Sequence, residues 1–541
     1  MAFPLIGAPR GLRLIPTASF FVFVIILIAL YRNTDLEQTS EILKQISNKV
    51  GVSKPEKQNH RPSRPTNTFP PVKYKPTPTE AVPVISEPFP LLANSAATPP
   101  PIPVYNAPKD GLHRQYGLSY MPPLFIGFTR QWPMLLQCVV SYITAGWPPE
   151  SIYVVENTGV QNSNAKGELT LQNPFYLNHT TLKRLGVNVL PTPVLLTFSQ
   201  MQNFFLSTAI SRSWDYYFYS HQDVLVFSFE DGADTMRRPG DREWFFYDEQ
   251  DKIDTMRPQA AGQEHYRTIY ENSLQELNYT REVEDRWAFR WFQYDHLTLV
   301  NRAALDAVGG WDSLMPYYMS DCDMNARLEM DGWTMKHRRV GIINDVSTVM
   351  EDLGALYRDP TITPRFVDPN PIPDPPPEEE PEQSEQPATP DGTVEAGRED
   401  GKKIQPTEDG VKNEAPVEPQ ESSEDPNKPT EKRGQVDINP RQSYDEAINY
   451  FRALVKVGDD MGGYKYRNKD LNRNSWQMSQ HGGEGEPYHY DAEGFSTSFW
   501  ILAEAGREVF RQKWGHRDCD LTQETALQLE DQWRVEKDWE D

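Results

Sequence analysis

The chain has 541 residues, 47 of them proline, and carries a formal net charge of −24 at pH 7. So much proline and unbalanced negative charge indicate that part of the chain lies outside any packed core. The acidic balance also argues against nucleic acid as a partner, because phosphate binding requires clustered Lys and Arg.

An uncharged apolar run near the amino terminus predicts a membrane anchor. Residues 14–31 contain no charged side chain and are about as long as the shortest membrane-spanning helices. Arg10 and Arg13 precede the run and acidic residues follow it, which places a short tail, residues 1–13, in the cytosol. We therefore expect a single-pass type II protein of the Golgi or ER membrane, with its bulk in the lumen. A cleaved signal peptide is the alternative, but the run is long for one and no small-residue cleavage site follows directly.

Two proline-rich regions separate the parts of the chain that are able to fold. Residues 32–116 form a predicted stem. Between residues 53 and 108 prolines recur every few residues, as is typical of an extended, solvated spacer. Residues 367–439 are rich in Pro and Glu and have too few apolar side chains to offset ordering entropy, which predicts a disordered acidic linker. Between them lies a predicted folded domain, 117–366. A carboxy-terminal extension, 440–541, has helical and aromatic segments that we expect to pack on that domain.

Short motifs and cysteines bear on the compartment. Asn178 and Asn278 each begin an N-x-T sequon and are candidate glycosylation sites of a lumenal protein, although such motifs arise often by chance. Three cysteines allow at most one internal disulfide and leave one thiol over, which is few for a lumenal protein. Stability must therefore come mainly from a hydrophobic core.

Strands and helices alternate from about Gly117 onward. The pattern predicts strands at 123–129, 151–155, 182–190, 214–219, 224–227, 295–300 and 333–343. It predicts helices at 133–145, 198–212, 269–292, 302–308 and 320–332, and in the extension at 444–457 and 495–513. Alternation of this kind, with right-handed βαβ units, predicts a doubly wound α/β domain.

The most informative stretch is the aromatic run at 214–227, which a polar cluster interrupts at residues 220–223. Its Tyr, Phe and Val residues suit a strand that is buried on both faces. Ligands of open α/β sheets bind beyond the carboxyl ends of the strands, which is where His221 and Asp223 then stand. A polar turn between two short strands explains the same residues equally well.

Four segments, in their order and spacing, resemble the nucleotide-diphospho-sugar glycosyltransferases of the GT-A fold, family 2 type. They are the strand end at 154–157, the helix that bears Asn203, the strand end at 221–223, and Gly309-Gly310-Trp311-Asp312 followed by the acidic helix at 320–332. The resemblance covers roughly Gly117 to Asp345, less than half of the chain. It implies a Rossmann-like mixed sheet flanked by helices. It also implies transfer of a sugar from a nucleotide-sugar donor to a glycan, protein or lipid acceptor.

The resemblance assigns residues to the donor and to a metal. The acidic residue after the second strand contacts the nucleotide base, which falls on Glu156 or Asn157, and Asn203 belongs to the donor side. The D-x-D signature holds Mn²⁺ or Mg²⁺ at the diphosphate and corresponds here to His221-x-Asp223. The first acid is missing, and a neutral imidazole lowers the affinity expected of two carboxylates, so metal dependence stays open. An ordinary turn explains the pair Glu156 and Asn157 as well.

The same resemblance assigns the chemistry to the acidic helix. Asp321 falls on the position of the base, where a carboxylate takes the proton of the acceptor hydroxyl as the new bond forms with inversion. Asp323 and Arg327 then belong to the donor side. Trp311 and Asp312 lie on the acceptor side, where a Trp face stacks on a sugar ring. Helix capping by Asp323, a salt bridge of Arg327 and a core role of Trp311 are the competing interpretations.

His337 and Asp345 lie near the end of the domain, where some members of the resembled family supply a further metal ligand.

Other functions have less support from the sequence. Signatures of metalloproteases, P-loop kinases and serine hydrolases are absent. A catalytically inactive transferase-like protein that binds a glycan or a partner is the main alternative, because an incomplete metal motif is what lost activity leaves. A third hypothesis is that the acidic linker recruits partners and the domain only scaffolds them.

Overall fold

The computed structural model describes residues 70–79, 85–93, 97–232, 259–368, 444–467 and 491–540. Described residues from Lys75 onward belong to one compact unit, and residues 70–74 fall in a separate one. The predicted anchor at 14–31 and nearly all of the predicted linker lie outside the described residues. Among the helices that are described, none is long and apolar enough to cross a membrane.

Helices and strands alternate through the domain and continue into the extension. In chain order they are α1 (Pro90–Ala93), α2 (Leu112–Gln115), β1 (Leu124–Phe128), α3 (Trp132–Thr144), β2 (Ile152–Glu156), α4 (Gln161–Lys166), α5 (His179–Arg184), β3 (Asn188–Pro191), α6 (Phe198–Ser211), β4 (Tyr216–Ser220), β5 (Val224–Phe227), α7 (Ile269–Val283), β6 (Trp287–Trp291), β7 (Leu297–Asn301), α8 (Arg302–Val308), α9 (Ser320–Met330), β8 (Thr334–His337), β9 (Ile342–Asp345), α10 (Tyr444–Arg467) and α11 (Ala492–Trp514). Most bounds lie within two or three residues of the predicted ones.

In the described part of the chain, seven strands form one sheet in the order β3, β2, β1, β4, β7, β6, β8. Every neighbouring pair is parallel except the two that β7 makes, with β4 and with β6. All strands but β7 therefore point the same way, and their carboxyl ends meet at one edge. β5 and β9 pair antiparallel with each other in a small second sheet. The predicted α/β class is confirmed as a mixed α/β fold with a mostly parallel sheet flanked by helices.

The sheet is buried on both faces, as its apolar strands predict. In β1, Leu124, Ile126 and Phe128 belong to the larger hydrophobic cluster, whereas Phe125 belongs to a second cluster. This alternation follows from the two-residue period of a strand, which sends successive side chains to opposite faces. Helix α3 covers the first face, and each of its side chains is buried.

Four predicted elements differ in the structure, one of which is the helix predicted at 444–457, since it continues to Arg467. The predicted strand at 182–190 starts as the end of α5, which stops before Gly186 (φ 82°), and only Asn188–Pro191 is extended. The predicted helix at 269–292 ends at Val283, and its last residues form β6, whose aromatic composition suits a strand. The predicted strand at 333–343 is divided into β8 and β9, which lie in different sheets.

Part of the predicted stem packs on the domain. Phe89, Leu92 and Leu112 are buried in the larger hydrophobic cluster. Asn106 is fully buried and donates a hydrogen bond of 2.9 Å to Glu230. Burial of these side chains makes the described residues from 85 to 116 a packed segment rather than a solvated spacer, so the folded domain begins before residue 117.

Helix α10 of the extension lies along β9. Phe451 and Leu454 are buried in the larger hydrophobic cluster. At Gly458 the helix approaches the sheet so closely that an added Cβ would lie 2.7 Å from Asn344 Nδ2. A larger residue would therefore displace the Asn344 side chain, although glycine destabilises a helix interior by roughly 0.5–1 kcal/mol relative to alanine.

Helix α11 of the extension packs on α9. Phe510 and Trp514 are fully buried and share a small hydrophobic cluster with residues of α9 and the loop before it. A disulfide joins Cys322 in α9 to Cys519, just beyond α11, and Cys138 is the buried free thiol. The predicted maximum of one disulfide is thus reached, and it connects the domain to its extension.

Candidate active site

The carboxyl ends of the strands place the acidic and histidine side chains at one edge of the sheet. His221 follows β4, and Asp295 and His296 precede β7, which pairs antiparallel with β4. Helix α9 presents Asp321 from its first turn at the same edge, where Tyr294 donates a hydrogen bond of 3.1 Å to Asp321 Oδ2. The structure therefore brings the predicted base close to the predicted metal motif.

Asp321 is partly buried, and its surroundings disfavour the negative charge. Burial, and then the nearby carboxylate of Asp295, raise the pKa of Asp321 above its ordinary value, and hydrogen bonds from the Cys322 amide and Tyr294 only partly oppose this. A carboxylate with a raised pKa holds a proton more strongly and is a better general base.

Backbone strain surrounds this carboxylate. Tyr294, which contacts Asp321, has φ 48°, and Met319, directly before α9, has φ 70°. Residues other than glycine adopt left-handed backbone angles at a cost of about 1–3 kcal/mol, and such residues cluster at functional sites. The strain is consistent with a site whose geometry is held by its surroundings.

His221, the first residue of the predicted metal motif, lies beside Asp295. Its Nε2 atom is 3.5 Å from Asp295 Oδ2, and this nitrogen has no hydrogen-bond partner within the described residues. The imidazole packs edge-on against His296, with ring centroids 5.8 Å apart. Asp295 therefore lies near both His221 and Asp321.

Asp223 and Asp345 face each other across an ammonium group from the extension. Lys465 Nζ, in the last turn of α10, lies 2.7 Å from Asp223 Oδ2, 2.5 Å from Asp345 Oδ1 and 3.3 Å from the carbonyl oxygen of Val346. Only 3% of Lys465 is exposed. Burial disfavours its charge, but the two carboxylates outweigh burial and raise the pKa of Lys465. The metal position of the resemblance is thus occupied by the chain's own cation.

A second cation contacts one member of this pair, Asp345. His296 Nε2 lies 3.4 Å from Asp345 Oδ2, and His296 Nδ1 is 2.8 Å from the carbonyl oxygen of Gln293. Burial opposes the imidazolium, but the charge and hydrogen bond of Asp345 prevail and raise the pKa of His296 to about 9. Tyr466 OH donates a further hydrogen bond of 2.5 Å to Asp345 Oδ2.

The candidate metal ligands therefore do not fit a divalent metal in this arrangement. Both carboxylates that would ligate the ion already bond Lys465, and Asp345 also bonds His296 and Tyr466. Within the described residues, no group of three or more His, Cys, Asp or Glu side chains is placed to hold a metal. His337, the other candidate ligand, lies against Trp291 instead, with ring centroids 5.0 Å apart.

A second lysine from the extension neutralises the other acidic pair. Lys513 Nζ lies 2.8 Å from Asp312 Oδ2 and 2.6 Å from Asp323 Oδ1, and Trp514 Nε1 donates to the same Asp323 oxygen at 3.0 Å. Asp323 is fully buried, and its other oxygen accepts from Arg327 Nε at 2.8 Å. Burial works against ionisation of Asp312, but Lys513 outweighs it and lowers the pKa of Asp312.

Arg327 and Asn203 hold the turn that follows α8. Arg327 donates to the carbonyl oxygens of Val308 and Gly310 at 2.7 and 2.8 Å. The Asn203 amide bonds both the N–H and the C=O of Trp311, at 2.9 and 2.8 Å. Trp311 is only 5% exposed, and its ring packs on that of Phe198. Asn203 and Arg327 therefore fix this turn by hydrogen bonds and Trp311 lies in the core, and a contact of these residues with a donor or an acceptor stays a prediction.

Glu156 and Asn157 are bonded within the protein. Glu156 is fully buried, accepts a hydrogen bond of 2.8 Å from Asn164 and pairs with His179 Nε2 at 2.9 Å. The Asn157 amide bonds the backbone N–H and C=O of Leu196 at 2.7 and 2.8 Å. Both side chains therefore shape the loops at this sheet edge, and a contact with a nucleotide base stays a prediction.

The two predicted glycosylation sites are partly buried and hydrogen-bonded. Asn178 caps α5 by accepting from the Thr181 amide at 2.9 Å, and its Nδ2 donates to Tyr176 OH at 3.1 Å. Asn278 lies within α7, and its Nδ2 donates to Glu282 at 2.7 Å. Glycosylation of either residue stays a prediction.

Aromatic side chains from α11 adjoin the loop before Asp321. Tyr317 packs on Phe499 with ring centroids 4.7 Å apart, and Tyr318 stacks on Trp500 at 6.1 Å with an interplanar angle of 16°. These four rings form a partly exposed aromatic surface within reach of the first turn of α9. Such surfaces suit the apolar faces of sugar rings.

Sequence reasoning missed Lys465, Lys513, Tyr294 and Asp295 as members of the site. The two lysines lie 242 residues from Asp223 and 201 residues from Asp312, so no local pattern connects them to those acids. Asp295 could have been predicted as a site residue, because it lies at the start of a predicted strand at the edge where ligands bind.

No protein-family model and no curated protein matches this sequence. Solved structures that match include a mannosyltransferase from Pyrobaculum calidifontis in complex with GDP-Man and Mn²⁺, at 9% identity and a TM-score of 0.25. That match covers 42% of this chain and 60% of the mannosyltransferase, less than two thirds of its length. A cytidylyltransferase from Leptospira borgpetersenii serovar Hardjo-bovis matches at 10% identity and a TM-score of 0.22, over 41% of this chain and 81% of that one. At this level of similarity the matches carry no argument about function.

Proposed function

We propose that this chain is a GT-A-type glycosyltransferase that moves a sugar from a nucleotide-diphospho-sugar to a hydroxyl group of a glycan, protein or lipid, with inversion. The observation that carries the proposal is the position of the Asp321 carboxylate. It lies at the sheet edge where ligands of α/β proteins bind, at the position that the family resemblance gives to the base. Its pKa is raised by burial and by Asp295, as suits a base.

The reaction follows from the position of this carboxylate. Asp321 accepts the proton of the acceptor hydroxyl while the acceptor oxygen forms a bond to the anomeric carbon. The bond from that carbon to the diphosphate breaks, and the nucleoside diphosphate leaves with the electron pair. Tyr294 orients the carboxylate through its hydrogen bond of 3.1 Å, and Asp295 keeps its proton affinity high. No step of this proposal uses a metal ion.

Most other predicted site residues act through the loops that they fix. Glu156 and Asn157 hold the loops after β2, and Asn203 and Arg327 hold the turn that contains Trp311. In this proposal the donor lies over those loops and meets backbone and neighbouring side chains. The acceptor approaches along the aromatic surface of Tyr318 and Trp500.

The test is donor turnover by the full chain. A thermal-shift screen of nucleotide sugars identifies the donor, since a ligand at a hundred times its dissociation constant stabilises by about 2.7 kcal/mol. Release of nucleoside diphosphate is then compared between the parent, Asp321→Asn and Asp306→Asn. We expect Asp321→Asn to lower kcat by about 10²–10⁴-fold with little change in donor affinity. Asp306 pairs with Arg302 on the surface, and its variant should keep full activity.

Two results would contradict the proposal. Full activity of Asp321→Asn would remove Asp321 from the chemistry. Donor binding without turnover in any buffer would favour the alternative of a transferase-like protein that binds a glycan or a partner without catalysis.

The membrane anchor at 14–31 and a Golgi or ER location belong to the same proposal and depend on the sequence. Expression in a eukaryotic cell followed by alkaline extraction tests the anchor. Glycosidase treatment tests lumenal exposure, because a mobility shift that Asn178→Gln or Asn278→Gln removes requires a lumenal domain. A protein that stays in the alkaline supernatant, or that never carries glycan, would argue against this location.

A further inference from the structure

The carboxylates of Asp223 and Asp345 are held together by a lysine that is fixed from outside the domain. Lys465 belongs to α10, which packs closely against the side chains of β5 and β9 at Gly458. Its ammonium group bonds three acceptors, two of which are these carboxylates, at 2.7 and 2.5 Å. The lysine is therefore a built part of the site rather than a surface residue that happens to be near.

Asp223 and Asp345 each place a carboxylate oxygen within 2.7 Å of the same atom, Lys465 Nζ, and a cation is required at that point. Like charges in a low-dielectric environment repel strongly, and an unpaired buried carboxylate is costly. A divalent ion bound by carboxylates and an ammonium group bonded to the same oxygens meet this requirement in alternative ways. Because Lys465 is 3% exposed and makes all its contacts within the protein, a metal ion would have to displace it.

We propose that Lys465 takes the place of the divalent metal in this site, so that the chain positions Asp223 and Asp345 and works without Mn²⁺ or Mg²⁺. This inference concerns the metal requirement of the proposed transferase and in that sense depends on the proposed function. Lys465 is a positioning residue, since its hydrogen-bonding capacity is used by Asp223, Asp345 and Val346. It sets the geometry and the charge of the acidic pair, and the donor diphosphate meets a site that is already neutralised.

Affinity for Mn²⁺ is the measurable property that would distinguish this chain from metal-dependent transferases. With Lys465 in place, the acidic pair should have no measurable affinity for Mn²⁺. Removal of the ammonium group leaves Asp223 without its cation beside Asp345, which keeps His296 and Tyr466 on its Oδ2 atom, and the vacated space next to Asp223 and Asp345 Oδ1 is a cation site. Lys465→Ala should therefore gain metal binding, whereas Lys465→Arg should not, because the guanidinium keeps the positive charge.

The test measures Mn²⁺ binding to the full chain by the electron paramagnetic resonance signal of the free ion. The samples are the parent, Asp223→Asn, Lys465→Ala and the double variant Lys465→Ala/Asp223→Asn, with Lys456→Ala as a control from the same helix. We expect the parent, Asp223→Asn and Lys456→Ala to give the same weak background from the acidic chain. Lys465→Ala should bind one further Mn²⁺, about tenfold or more tighter than that background, and the double variant should lose it.

Several results would overturn the inference. One is Mn²⁺ binding by the parent that Asp223→Asn abolishes, which needs no destabilised variant to be observed. Another is a folded Lys465→Ala protein, with an intact circular dichroism spectrum, that gains no Mn²⁺ site. A third is donor turnover by the parent that a chelator stops and Mn²⁺ restores. If the parent turns over no donor in any buffer, the proposed function fails, while the binding comparison still decides the role of Lys465.

Discussion

Replacement of Lys513 by methionine should destabilise the protein strongly, because it leaves two carboxylates without their shared cation. Lys513 is 3% exposed and lies 2.8 and 2.6 Å from Asp312 and Asp323, and Asp323 is fully buried. Removing one partner of a buried ion pair costs about 3–5 kcal/mol. Asp323 keeps its bond of 2.8 Å to Arg327, so we expect the lower end, about 3 kcal/mol.

The matched control is Lys456→Met in the other helix of the extension. Lys456 forms an ion pair of 2.6 Å with Asp460, but its side chain is 74% exposed. Solvent-exposed pairs of this kind contribute only about 0.3–0.5 kcal/mol. Urea denaturation monitored by tryptophan fluorescence gives both free energies of unfolding, and the Lys513 variant should also melt on the order of 10 °C lower.

A double variant isolates the charge. In Lys513→Met, the additional change Asp312→Asn removes one of the two carboxylates that shared Lys513, so it should restore part of the lost stability. In the parent background the same Asp312→Asn change should destabilise, since it breaks a favourable pair. If Lys513→Met and Lys456→Met cost the same within about 0.5 kcal/mol, the view that the extension is bound to the domain by buried charge is wrong.

Three further outcomes can be measured on the same protein. The pKa of His296 is raised to about 9 from 6.5, so its stabilisation is complete below pH 6.5 and is lost as the pH rises through 9. The unfolding free energy should fall across that range by about 3 kcal/mol, and His296→Gln should flatten the slope. Gly310→Ala should destabilise more than Gly309→Ala in thermal melts, because both have left-handed backbones but an added Cβ would meet Asn203 Oδ1 at 2.8 Å only at Gly310. Cys519→Ser should lower the unfolding free energy by about 2–5 kcal/mol in urea titrations, whereas a reductant should then have no further effect.

Secondary structure and fold class were predictable because they depend on patterns that are local in the chain. The apolar strands β1, β2 and β4 and the short helix α8 lie where the sequence predicts them, since their periodicity and the Gly309-Gly310 stop are visible within a few residues. Errors occurred where local patterns are ambiguous. Aromatic residues at 287–291 fit a helix as well as a strand until β7 provides a partner for pairing.

The edge of the sheet was predictable, but the partners of its acids were not. The sequence placed His221, Asp223 and Asp321 at strand and helix ends, and the structure brings them to one edge. The carboxylates that are not neutralised are determined by lysines that lie far away in the chain. Asp223 and Asp323 are neutralised by lysines of the extension, whereas Asp321 has a phenol and another acid as neighbours.

By itself the sequence determined the alternation of strands and helices, the single disulfide allowed by its cysteines, and the acids at the carboxyl ends of the strands, because hydrophobic period and residue type are written locally. Tertiary structure alone decided that Lys465 and Lys513 fill two of the acidic pairs and that Asp321 keeps a raised pKa. The physical reason is that a charge is governed by what lies within a few ångströms in space, and here those neighbours are about two hundred residues away in the chain.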